Sequence, residues 1–287
     1  MNRLTLEKRV QILSMLCEGS SMRAISRVCD VSINTVSKLL VDAGEACAAF
    51  HAEKVVGVKA RRVECDEIWS FCFSKQSNTP SGHRGERGDV WTWTALDAES
   101  KLIISWMVGS RDIETAQIFT DDLKSRLANR VQLTTDGHRA YLEAVEQSFG
   151  GDVDYAMLIK LYGNPEGQRG TAERKYSPPP CIGTRTQKIS GAPNAQYIST
   201  SYTERHNLTM RMSMRRFGRL TNAFSKKIDN HIHALSLYFV WYNWVRLHKT
   251  TRVTPAMAAG LTDKVMGMAD VVSLIDEYDE RRKIKAA

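Results

Sequence analysis

Three acidic residues carry the chemistry this sequence could perform. Asp66 lies in the run Val63-Glu-Cys-Asp-Glu-Ile-Trp-Ser-Phe-Cys-Phe73, Asp136 closes Val131-Gln-Leu-Thr-Thr-Asp, and Glu204 stands near the head of a segment from Ser201 to Arg219. An acid in the middle of so apolar a run is costly unless it is paired or bound to a metal. The three recur at nearly equal intervals along the chain. Two-metal phosphoryl transfer needs carboxylates that hold divalent ions about 3.5–4 Å apart. An all-oxygen donor set favours Mg²⁺ or Mn²⁺ over zinc, with two ions expected.

Positioning them falls to a mixed set of strands and helices. The β-branched and aromatic residues of 63–73 predict a strand. Counted by twos, Glu64, Asp66, Ile68, Ser70 and Cys72 share one face, and Cys65, Glu67, Trp69, Phe71 and Phe73 the other. Residues 90–96 and 101–108 predict two more strands, and 114–127 an amphipathic helix. A short strand ends at Asp136, a helix follows from about Arg139 to Phe149, and 155–162 predict a last strand. Acids at the carboxyl end of a strand sit where α/β sheets place their sites. An N-cap is the bland role for Asp136. Asp97 reads as a turn residue, with metal ligation as its second role.

Residues 201–219 have good helix propensity and one acid followed by Arg205, Arg211, Arg215, Arg216 and Arg219. On a helix, positions 204, 207/208, 211 and 215 stack on one face, a carboxylate heading a guanidinium ladder. That suits a metal ion beside a nucleic-acid backbone. Ser201-x-x-Glu204 also matches a capping box, in which Glu204 merely folds back onto the helix start.

At the amino end, apolar stripes at helical spacing mark three short helices between Leu4 and Phe50, with Ser32 before the third. A tight turn between the last two makes a helix-turn-helix. Its recognition helix, Ile33 to Val41, offers Asn34, Thr35, Ser37 and Lys38 to a major groove; a bundle for protein contact is the other reading. Gly44 to Arg62 reads as helix tail and basic linker. Residues 163–200 read as a long, basic, Gly- and Pro-rich loop that orders on DNA or a partner, or stays a surface loop. Glu166 and Glu173 within it are rival third carboxylates, discounted because neither opens a convincing helix. Trp241 and Trp244 read as core, and His231, His233 and His248 as structural. Residues 251–287 read as a helical tail available for an oligomer contact.

The 287 residues allow one large and one small domain, and 43% hydrophobic content excludes a disordered chain. A net charge of +8 favours an anionic partner, nucleic acid foremost. Six cysteines without a C-x-x-C pair fit neither a zinc knuckle nor a disulfide framework. No signal segment and no bilayer-length apolar run is present, so the chain reads as soluble and cytoplasmic.

Together Cys-Asp66-Glu-Ile-Trp-Ser-Phe, Thr-Thr-Asp136-Gly-His-Arg-Ala-Tyr and Thr-Glu204-Arg-His-Asn resemble the motifs of DDE transposases of bacterial insertion sequences, nearest to the insertion sequence 1 group. Arg211, seven places after Glu204, and Trp241-Tyr-Asn-Trp-Val-Arg-Leu-His248 extend the likeness. Some relatives place a four-cysteine zinc module ahead of the helix-turn-helix; this sequence opens on the helix-turn-helix itself. The resemblance implies a ribonuclease-H-like α/β fold, a mixed sheet flanked by helices, behind an all-α helix-turn-helix domain. The divisions are then 1–50 for DNA binding, 51–62 linker, 63–250 catalytic domain and 251–287 tail.

It further implies a metal-binding triad of Asp66, Asp136 and Glu204, and Arg211 on the DNA end. Double-stranded DNA would be the partner, as terminal inverted repeats and target. The assembly would be a homo-oligomer, at least a dimer, associated with the bacterial nucleoid. The activity would be phosphodiester hydrolysis and 3′-hydroxyl strand transfer. The competing readings are a DNA-binding regulator with an inactive sheet domain, and a structure-specific nuclease or ribonuclease H.

Overall fold

The computed structural model describes residues 4–83, 86–163, 180–218 and 222–286. Its centre is a six-stranded sheet: β1 (Arg62–Cys72), β2 (Gly88–Asp97), β3 (Ile103–Gly109), β4 (Val131–Thr135), β5 (Val153–Tyr162) and β6 (Cys181–Ser190), in the order β3-β2-β1-β4-β5-β6. Strands β1, β2 and β3 run antiparallel; β4 is parallel to β1 and β5 to β4; β6 returns antiparallel to β5. The connections into β4 and β5 are helices α4 (Ile113–Arg126) and α5 (Ala140–Phe149). Three antiparallel strands followed by two helix-linked parallel ones make the ribonuclease-H-like arrangement.

Alternation along β1 sorts two helical layers. On one face Trp93, opposite Glu67 in the register, packs against Phe119 of α4 and Tyr141 of α5. On the other, Glu64 and Asp66 meet α6 (Ser201–Ser213), and Ser70 meets His231 of α7 (Ile228–Val240). Buried on both sides, β1 needs apolar residues throughout. Its three acids, with Arg62 and Ser70, are the exceptions.

The amino-terminal helices are α1 (Leu6–Cys17), α2 (Met22–Val28) and α3 (Ile33–Lys54), each capped by a hydroxyl: Thr5, Ser21 and Ser32. Past Val41 the third helix continues to Lys54 and packs on α7. Gly44 permits that crossing, since a Cβ there would fall 2.3 Å from the His233 Cβ. Val55, Val58 and Ala60 are buried, and Val58 exchanges backbone hydrogen bonds with Arg126 and Ala128. This stretch, read as helix tail and linker, is thus anchored at these residues, while Lys54, Lys59 and Arg61 are exposed.

Beyond α7 the helix widens into a π turn over Trp241–Val245. There buried Asn243 accepts the Ile103 N–H and donates to its carbonyl, at 3.0 and 2.9 Å. Trp241 and Trp244 are core residues. After α8 (Pro255–Ala258), α9 (Met268–Ala286) buries Val271, Val272 and Ile275 and lies against α1 and α3. Arg9 clamps Asp276 with bonds of 2.6 and 3.1 Å. These apolar residues of the tail thus pack on the helix-turn-helix region of its own chain, while Val265 and Ile284 stay exposed.

Two further expectations are corrected. The basic loop contains strand β6, whose residues are mostly exposed on both faces and so show no half-buried pattern; Glu166 and Glu173 lie outside the described residues. The arginine helix ends at Ser213, because Met214 is extended and a short 3₁₀ turn over Arg215–Phe217 packs Phe217 against His231. Arg219 also lies outside the described residues. Among the described residues, no helix is long and apolar enough to cross a membrane.

Candidate active site

A cleft of about 600 Å³ opens where β4 ends, lined by Asp66, Arg111, Asp136, His138, Lys160 and Glu204 among others. Its floor is set by strand register. Cys65 pairs with Thr135, so Asp136, the first residue beyond β4, stands beside Asp66. Asp136 makes no helix cap. Its Oδ1 accepts the His138 N–H at 2.9 Å in a tight turn, and α5 starts only at Ala140.

Asp66 is held from two sides. Its Oδ1 accepts the Glu67 N–H at 2.9 Å, and its Oδ2 accepts from Asn207 Nδ2 at 2.8 Å. Burial pushes its carboxyl up to about 7, with the charges of Asp136 and Glu204 adding to the effect. Glu67 is raised further, to about 8, by burial and then by Asp136. Its Oε2 pairs with Arg111 Nη2 at 3.2 Å, and the same guanidinium reaches Asp136 at 3.3 Å.

Glu204 does not close a capping box. Its Oε1 accepts from Thr200 Oγ1 and its Oε2 pairs with Lys160 Nζ, both at 2.6 Å. The first turn of α6 is capped by Glu64, whose Oε2 accepts the N–H groups of Tyr202 and Thr203.

The acids that come closest are not quite the expected three. Asp66, Glu67 and Asp136 each bring an oxygen within 4.8 Å of the others. Glu204 lines the same cleft but stays outside that tight group, drawn to Lys160. Glu67, Arg111, Lys160 and Asn207 were missed from sequence. The signals were an Asp-Glu pair inside an apolar strand, and Asn207 one turn beyond Glu204. The residues fit a divalent cation: every donor is a carboxylate oxygen, and Glu67 Oε1 is buried without a well-formed hydrogen bond. Asp97 is a turn residue as read, accepting the Ser100 N–H at 3.0 Å. His231, His233 and His248 join none of the acids: His231 lies between Ser70 and Ser225, and His248 stands edge-on to Tyr242.

On α3, Asn34 and Lys38 are exposed and Thr35 and Ser37 half-buried; Lys38 pairs with Asp42 at 2.7 Å. Arg205, Arg211 and Arg215 are exposed, whereas Arg216 turns inward and donates to Ser225 Oγ. Burial brings the Arg216 guanidinium down to about 10.

Residues 2–41 match a family described as a helix-turn-helix domain. No curated protein sequence matches the chain. Among solved structures it is similar to a Mos1 transposase paired-end complex with the left transposon end, at 13% identity and a TM-score of 0.21, over 51% of this chain and 58% of that one. A pre-cleavage Mos1 transpososome gives 11% and 0.22, over 54% and 60%. A piggyBac transposase synaptic complex with hairpin DNA gives 10% and 0.37, over 98% and 73%. The chain thus covers less than two thirds of the Mos1 chains, and likeness at this level assigns neither activity nor partner.

Proposed function

We propose that the protein is a DDE-type DNA transposase of the insertion sequence 1 kind, which binds the ends of its element and cuts and joins DNA in the cleft. The observation that carries this reading is that Asp66, Asp136 and Glu204, from three separate elements, line one cleft in a chain whose amino terminus is a helix-turn-helix. The three acids would hold two Mg²⁺ or Mn²⁺ ions, which when bound activate the attacking oxygen and stabilise the leaving one.

The remaining work belongs to the side chains. Asn207 fixes one Asp66 oxygen by donating to it. Lys160 and Arg111 stand in the cleft, where an incoming phosphate would compete with Glu204 and Asp136 for their charge. Arg205, Arg211 and Arg215 would contact the DNA backbone beyond it, and Asn34, Thr35, Ser37 and Lys38 the bases of the terminal repeat. Double-stranded repeats and target DNA would be bound by a homo-oligomer.

A duplex carrying the repeats that flank the gene, end-labelled and incubated with Mg²⁺, tests the reading. Wild-type protein should nick and transfer the strand. Asp66→Asn, Asp136→Asn and Glu204→Gln should each bind the duplex and leave it intact; full activity in any of them refutes that residue's role. The ion pairs that occupy Glu204 and Asp136 favour the second reading, a DNA-binding regulator without chemistry. A gel shift with no cleavage by wild type would select it.

A further inference from the structure

We infer that Glu67 is a third protein ligand of the cation bound by Asp66 and Asp136, and that Arg111 is the counter-ion this cation displaces. The inference rests on the metal-dependent reading above, but Glu67 lies outside the triad that the sequence resemblance implies.

Asp66 and Glu67 leave β1 on opposite faces, yet both reach Asp136 because that residue stands just past the end of β4. One oxygen from each lies within 4.8 Å of the others. The Glu67 side chain is wholly buried, and only its Oε2 is engaged, by Arg111. No well-formed hydrogen bond reaches the second oxygen, Oε1, and the buried Tyr141 hydroxyl lies close enough to the carboxylate to act on it only loosely. A sealed carboxylate with one oxygen so loosely held is expensive to keep for structure alone. Hard divalent cations draw on several carboxylate oxygens, which would give it a use.

Arg111 has the form of a displaceable partner. Its side chain is 37% exposed, bridges Glu67 and Asp136 at 3.2 and 3.3 Å, and rests on the Trp91 ring at 4.7 Å. It meets two carboxylates with one positive charge, and Asp66 brings a third into the same group. A divalent ion at the same place would match them better, and the guanidinium, anchored at the rim, is free to turn outward toward a phosphate.

Mn²⁺ binding to the full chain without DNA, followed by electron paramagnetic resonance, tests this apart from activity. Asp66→Asn should abolish the site. Glu67→Gln should weaken Mn²⁺ at least tenfold, and Arg111→Ala should tighten it several-fold by removing the competitor. If Glu67→Gln binds Mn²⁺ like wild type and only its unfolding midpoint falls, Glu67 is an anchor for Arg111 and the inference is wrong. If Glu67→Gln does not fold, Arg111→Ala decides alone: unchanged or weaker binding overturns the inference. Unaltered binding in Asp66→Asn would instead sink the metal-dependent reading itself.

Discussion

Glu64 and Thr203, 139 residues apart in sequence, are joined by a hydrogen bond of 3.1 Å from the Thr203 N–H to Glu64 Oε2, which also accepts the Tyr202 N–H at 2.8 Å. Helix starts leave backbone donors without partners. Here a strand side chain satisfies two of them, while Thr200 supplies no side-chain cap. Since Glu64 and Asp66 share a face of β1, one strand both carries an acid of the cleft and fixes the helix that carries Glu204. Glu64→Ala should lower stability by about 1–3 kcal/mol, measured by urea denaturation. Mg²⁺-dependent cleavage should fall more than affinity for end DNA; equal falls would point to general unfolding.

This relationship marks how far the sequence could be read. Alternation along β1 was legible, because a period of two needs no knowledge of neighbours. It placed Glu64, Asp66 and Ser70 on the face that meets α6 and α7, and Glu67 on the face of α4 and α5. What alternation hides is Glu67 turning toward Asp136, which depends on the parallel pairing of Cys65 with Thr135. Long-range register leaves no local trace. Strand β6 was missed for another reason: with most of its residues exposed, nothing in 181–190 had to be apolar. The arginine ladder broke at Met214, where packing of Phe217 on His231 overrode helix propensity.

Asn207 offers a sharper probe of the cleft than the acids do. Its amide donates to Asp66 Oδ2 at 2.8 Å, and both belong to buried surroundings. Partners that orient metal ligands typically cost about 10- to 100-fold in activity or metal affinity when removed. Asn207→Ala should lose cleavage on that scale in single-turnover assays and bind end DNA as before. Asn207→Asp sets a second carboxylate against Asp66 and should shift the acidic limb of the pH–rate profile upward. A rate for Asn207→Ala within about twofold of wild type would show that the bond does no positioning.

The crossing of α3 and α7 ties the recognition helix to the sheet domain. At Gly44 an added Cβ would approach the His233 Cα and Cβ to 2.5 and 2.3 Å, too close for a rotamer change to relieve. Gly44→Ala should therefore force the helices apart and lower stability by about 1–3 kcal/mol or more, despite alanine's better helix propensity. Hydrogen exchange should quicken in the second half of α3 and in α9, which packs beside it. An alanine variant as stable as wild type would mean the helices cross more loosely than this.

His231 sets the last expectation. Its ring nitrogens lie 3.3 Å from Ser70 Oγ and 3.4 Å from Ser225 Oγ. Burial, reinforced by the Arg216 guanidinium, brings its pKa down to about 3. An unfolded chain protonates the same ring near pH 6.5. Between those values the unfolded state holds one more proton, so the contribution of His231 to stability is lost as pH falls. The slope approaches about 1.4 kcal/mol per pH unit once pH is well below 6.5. Glu64, Asp66 and Glu67, raised to about 7, 7 and 8, act in the opposite sense as pH falls from 8 toward the ordinary carboxylate range. The wild-type curve alone would therefore mix the two effects, and the difference between wild type and His231→Gln isolates one. That difference should be flat above pH 7.5 and move in the variant's favour by about 1.4 kcal/mol between pH 5.5 and 4.5. Parallel curves down to pH 4.5 would show that the ring is protonated in the folded protein.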